Sequence, residues 1–161
     1  MPQLLVFLPC EKVLISGGET GDGTTTVVTI LQSISVSIPK DSGPHLAAPM
    51  TWHIFVLWKT PIEDRGVAFE QNIDLLAPSG EAVMRFKTDF TASTEFQRTT
   101  TKVIGLPVSE EGNYILHLQL VRADDPDLIL TDAKYPLLIQ HQKDAVDGSE
   151  AVAGDMENTK V

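Results

Sequence analysis

The sequence predicts an all-β domain built as a two-layer sandwich, and three observations carry that expectation. Apolar and polar residues alternate with a period of two through most of the chain. Turn residues recur roughly every 8–12 positions, the spacing of short strands joined by tight connections. No segment of helical length carries a 3.6-residue period. At 161 residues, with a mean hydropathy of +0.02, the chain reads as one globular domain. A domain of this size buries about two-thirds of the surface its unfolded chain exposes.

The elements follow in order. In "VTILQSISVSI", Val28, Ile30, Ile34, Val36 and Ile38 share one face, interrupted only by Gln32. The run is long for one straight strand, so a bend or bulge is expected near Gln32 or Ser33. A Pro- and Gly-rich link, Pro39 to Pro49, leads to "TWHIFVLWK". Both faces of that run are apolar, as suits a central strand covered on each side. "AFEQNIDLL" sets Phe69, Ile73 and Leu75 against Glu70, Asn72 and Asp74. "APSGE" then supplies turn chemistry, and "AVMRFKTDF" resumes with Met84, Phe86 and Phe90 opposite Arg85, Lys87 and Asp89. Two alternating runs about a Gly turn predict a hairpin.

"RTTTKVIGL" is Thr-rich and β-branched, which suits a pleated surface. "GLPVSEEGNYILHLQL" places Tyr114, Leu116, Leu118 and Leu120 inward and His117 and Gln119 outward. "DLILTDAKYPLLIQ" closes the fold with one or two strands, Pro136 marking an edge or a break. The total is about eight strands. The "EGNY" stretch fits the corner of an immunoglobulin-like sandwich, in which a Tyr ring fills the core and its hydroxyl caps a backbone group upstream. The plainer alternative is that Tyr114 simply begins an amphipathic strand. The domain is expected to span residues 1–142. Residues 143–161 hold five acids and two lysines, a net −3, with no aromatic, Leu or Ile, and predict a flexible acidic tail.

Composition narrows function mainly by exclusion. Acids outnumber bases 22 to 12, a net charge of −10, which disfavours nucleic acid and anionic lipid alike. Cys10 is the only cysteine, so an internal disulfide or a Cys-based zinc site lacks partners. The opening "MPQLLVFLP" has no basic residue before a short apolar run, and no stretch approaches the ~20 apolar residues of a membrane span. A cytoplasmic protein is expected.

Candidate chemistry is sparse. Cys10 in "LPCEKVLI" is a nucleophile only if Glu11 or a distant His assists it; a half-buried strand cysteine is the simpler reading. His53 and His117 would offer two metal ligands if their strands were neighbours on one outer face, with no third in view. Asp124, Asp125 and Asp127 in "ADDPDL", with Asp132 nearby, are weak candidates for a hard cation such as Ca²⁺. That cation takes six to eight oxygens, so Glu19, Asp22 or Asp64 would have to contribute, and a solvated turn explains the same residues. "ISGGETGDG", Ile15 to Gly23, lacks the Lys-Ser/Thr ending and following helix of a phosphate loop and reads as a mobile loop. Trp52, Phe55 and Trp58 would floor a sugar or peptide groove if exposed, though core packing accounts for them better. No cofactor is expected.

Taken together, "LPCEKVLI", "ILQSISVSIP", "LAPSGE" and "IGLPVSEEGNYILHLQL" resemble an uncharacterised bacterial family of small single-domain proteins, a domain of unknown function. The similarity spans about residues 3 to 140. Relatives often carry Cys-Asp where this chain has Cys10-Glu11. The resemblance implies a compact β-sandwich of bacterial origin and brings no catalytic residues with it. The expected function is a non-enzymatic binding or assembly module, acting on a protein partner or a second copy through an edge strand, a sheet face or the loops. A Ca²⁺-dependent binder using the acidic loop and a small hydrolase using Cys10 or a His/Asp set are the alternatives.

Overall fold

Alternation becomes strand wherever the sequence carries it. The computed structural model describes residues 1–16, 23–39, 43 and 45–142. The centre of the Gly-rich loop, with Glu19 and Asp22, and the 143–161 tail lie outside the described residues. Within them are nine strands: β1 (Gln3–Ser16), β2 (Thr24–Ile30), β3 (Ser33–Ser37), β4 (Ala47–Lys59), β5 (Ala68–Leu76), β6 (Ala82–Thr91), β7 (Phe96–Pro107), β8 (Gly112–Arg122) and β9 (Asp125–Gln142). A 3-10 turn at Ile62–Asp64 interrupts them. No helix among the described residues is long and apolar enough to cross a membrane.

The strands form two sheets, of order β2-β1-β4-β7 and β3-β9-β8-β5-β6. All pairings are antiparallel except β3 on β9, which is parallel. Between the sheets lies one apolar core. Trp52, Ile54, Val56 and Trp58 of β4 meet Phe69, Ile73 and Leu75 of β5 and Tyr114, Leu116, Leu118 and Leu120 of β8. Each such side chain contributes about 1.5–3 kcal/mol on burial. The five-stranded sheet curls into a half-barrel around this core rather than lying flat.

The expected bend in "VTILQSISVSI" is a change of sheet. Leu31 N–H still donates to Pro9 O of β1, at 3.0 Å, while Gln32 O already accepts from Leu138 N–H of β9, at 2.9 Å. Thr29 adopts a φ of 53°, in the left-handed region, and this resets the alternation. Ile34, Val36 and Ile38 therefore pack on the core together with Leu31, whereas Ile30 is 48% exposed. The single inward face assigned to Val28, Ile30, Ile34, Val36 and Ile38 is corrected accordingly.

Splitting that run in two, and the apolar opening forming β1, raise the strand count from about eight to nine. β1 pairs with β4 through its first half and with β2 through its second, and Cys10 pairs with both. Arg98 of β7 donates from Nη2 to Gly23 O, just before β2, at 2.7 Å. Because β2 and β7 stand at opposite ends of their sheet, the β1–β2 arm must pass over the outer face of β4 to make this contact. The Nδ1–H of His53 pins the crossing by donating to Glu11 O at 2.9 Å. Phe55, which points away from the central core, is consequently only 3% exposed.

Pro136 lies inside β9 rather than at a break, opposite Ile115 of β8. It is still at an edge in the local sense: β3 covers only Leu138 to Gln142, so β9 is unpaired on that side where Pro136 lacks its N–H. At the start of β8, Tyr114 is fully buried; its hydroxyl donates to Glu110 O and accepts from Glu110 N–H, each at 3.2 Å. Gly112 precedes it with a φ of 135°, and a Cβ there would stand 3.2 Å from Pro78 Cγ.

Candidate functional site

The residues singled out from sequence meet only in pairs, Cys10 beside His53 across β1 and β4 and His117 against Asp132 across β8 and β9. Cys10 is fully buried on β1, flanked by β4 on one side and β2 on the other, and desolvation raises its thiol pKa. That is the setting of an unreactive thiol. His53 is its cross-strand neighbour on β4, but its Nδ1–H is committed to Glu11 O. His117 belongs to β8 in the other sheet, so the two histidines lie on opposite outer faces and the shared two-His site is corrected. Among the described residues no group of three or more His, Cys, Asp and Glu side chains is placed to hold a metal. Trp52 and Trp58 are core residues rather than a groove floor.

The acidic loop spans the β8–β9 connection. Asp124 is gripped through both oxygens by Arg122, at 2.9 Å for each bond, and its pKa is lowered by those hydrogen bonds. Asp125 and Asp127 are exposed at the start of β9. Asp132 lies further along β9 on the outer face, where Nε2–H of His117 donates to it at 2.7 Å and Gln119 at 3.1 Å. These donors hold its carboxyl below the usual range.

That outer face of the five-stranded sheet is a polar lattice. Cross-strand neighbours Asn72 and Lys87, Asp74 and Arg85, and His117 and Lys134 stand in register on it. Lys87 pairs with Glu70, which also accepts from Asn72 at 2.9 Å, and Arg85 approaches Asp74 at 3.9 Å. Charges of both signs are interspersed and locally matched. Such a face is adequately solvated and needs no partner.

The two sides of the sandwich differ sharply. On one side the terminal strands are β6 and β7. β6 carries Arg85, Lys87 and Asp89, and β7 carries Arg98, Lys102 and Pro107, the charges and proline that blunt an unpaired edge. On the other side the terminal strands are β2 and β3, successive parts of one segment that passes from sheet to sheet. From Gly23 to Pro39 this segment holds no Asp, Glu, Lys or Arg. Its exposed strand side chains are uncharged and, apart from Ile30, small: Thr24, Thr26 and Thr29 on β2, Ser33, Ser35 and Ser37 on β3. An uncharged ribbon with small side chains leaves its outward N–H and C=O groups open to another strand. The sequence carried this signal as an absence of charge, which an alternation pattern does not register.

No known family model matches the chain, and a search of curated proteins returns no match.

Proposed function

We propose that the protein is a non-enzymatic binding or assembly module on an immunoglobulin-like sandwich, and that it docks an extended strand along Thr24–Ser37. The parallel pairing of β3 on β9 and the hydroxyl of Tyr114 bonded back to Glu110 support the immunoglobulin-like reading. So does the sequence resemblance to the bacterial family of small β-sandwich proteins. The observation that carries the functional reading is the contrast between guarded edges at β6 and β7 and the uncharged edge of β2 and β3. Main-chain hydrogen bonds supply affinity in strand addition, and the alternating side chains supply selectivity.

The test compares two baits, the wild-type chain and Ser35→Lys, together with sedimentation of each over a range of concentrations. Ser35 is exposed, so the substitution is tolerated by the fold while placing a charge on the edge. The expected result is a complex, with a second copy or with a partner, that the wild type forms and Ser35→Lys does not. A wild-type chain that stays monomeric and retains nothing beyond what Ser35→Lys retains overturns the proposal.

A further inference from the structure

Beneath the β1–β2 arm, against the outer face of β4, lies a groove of about 510 Å³, lined by the side chains of β2 that point away from its exposed Thr24 and Thr26. Its walls are apolar: Val6, Val27, Phe55, Leu57 and Phe96 line it. Two polar groups interrupt them. Thr25 Oγ1 is buried with no hydrogen-bond partner among the described residues. Arg98, the only charged residue in the lining, spends one guanidinium N–H on Gly23 O and meets no carboxylate among the described residues.

Neither polar group is fully partnered among the described residues. A buried hydroxyl without a partner costs stability, and a guanidinium has five donors, most of them unused here. In a chain of net charge −10, an arginine that meets no acid among the described residues is conspicuous. Apolar walls with a few convergent polar groups, at a volume within the ~300–1,000 Å³ of small-molecule sites, are the features of a ligand pocket. The charge sign selects the ligand class, because an unpaired guanidinium favours a planar carboxylate held through two parallel hydrogen bonds.

We infer that this groove is a binding site for an apolar monocarboxylate. The acyl tail lies along Val6, Val27, Phe55 and Leu57, and the carboxylate pairs with Arg98. The site is separate from the Thr24–Ser37 docking edge in what it recognises: a small amphiphile rather than a strand.

Calorimetric titration of the full chain with decanoate, decanol and decylamine, all below micelle-forming concentrations, tests it. Decanoate should bind, decanol more weakly and decylamine least. Arg98→Gln should weaken decanoate by about tenfold or more, the loss expected for a charge-assisted hydrogen bond, and leave decanol nearly unchanged. Arg98→Lys should restore part of the decanoate affinity. Leu57→Trp, which fills the groove, should abolish binding of both ligands; a folded state is checked for each variant by circular dichroism and melting temperature. Absence of decanoate binding, equal binding of decanoate and decylamine, or an Arg98→Gln affinity equal to wild type would each overturn the assignment. Ser35→Lys should bind decanoate as the wild type does, so failure of the edge proposal and failure of this one are read separately.

Discussion

Trp58 of β4 and Gln71 of β5 are joined across the core: the indole Nε1–H donates to Gln71 Oε1 at 2.8 Å, from one sheet to the other. Thr99 of β7 donates to the same oxygen at 3.0 Å. Apolar faces alone allow two sheets to slide past one another, whereas a buried acceptor shared by two donors fixes their registry. The arrangement leaves Gln71 Nε2 buried without a partner among the described residues, a cost carried by the native state.

Gln71→Leu should therefore destabilise the fold, by about 2 kcal/mol, because it strands the Trp58 and Thr99 donors in the core. Adding Trp58→Phe to Gln71→Leu should cost less than the two single changes summed, since the first substitution has already broken the bond that the second removes. Denaturant unfolding of the four proteins in the cycle measures this. Strict additivity would show that the bond contributes nothing of its own.

Tyr114→Phe keeps the ring in the core and removes the hydroxyl that serves both Glu110 N–H and Glu110 O. A loss of about 1–2 kcal/mol is expected. Gly112→Ala should be destabilising by a similar or larger amount, because it combines a positive φ with a close approach to Pro78. Equilibrium melts of the two variants check both figures.

Much of this fold is legible in the sequence, and particular residues show why. Leu116, Leu118 and Leu120 alternate with His117 and Gln119, and strand geometry converts that alternation directly into inside and outside. The hairpin about Gly80 is legible for the same reason, with turn chemistry between two alternating runs. Gln71 is not: its inward position follows from the period, but the partner that justifies it comes from another sheet. The arm is hidden too. The apolar run Leu4 to Leu8 has no clean alternation, because Leu4 and Phe7 meet the core, Val6 lies in the groove beneath β2, and a register shift leaves Leu5 between them exposed. As for the site, Cys10, the two histidines and the aspartates attract attention by chemical type. The uncharged edge and the groove depend on which strands end up terminal and which face is covered, and those are tertiary facts.

Cys10 should not react with a thiol reagent in the native state at pH 8 and should react fully once unfolded. Its complete burial and its raised pKa both suppress the thiolate. Rapid native-state labelling would contradict the burial of this residue on β1 between β2 and β4.

Acid should act through the outer face of the five-stranded sheet. Asp132 is lowered by its hydrogen bonds from His117 and Gln119, and Glu70 by those from Lys87 and Asn72. A carboxyl depressed in the folded state contributes stability above its unfolded value, near pH 4, and loses it as pH falls through the folded value. Lys87 is raised by Glu70, so its share is present below about pH 10 and lost above that. Stability measured from pH 7 down to pH 2 should thus decline more gently in Asp132→Asn and Glu70→Gln than in the wild type. Both pairs are solvent-facing, and the difference should shrink in high salt.

The most direct test of the docking edge is amide hydrogen exchange of the complex, with another copy or with a retained partner, compared with the free chain. Exchange should slow within Thr24–Ser37, most of all along Ser33–Ser37, while the charged edge at Ala82–Thr91 is unaffected. A complex that protects a different surface and leaves Ser33–Ser37 unchanged would contradict it.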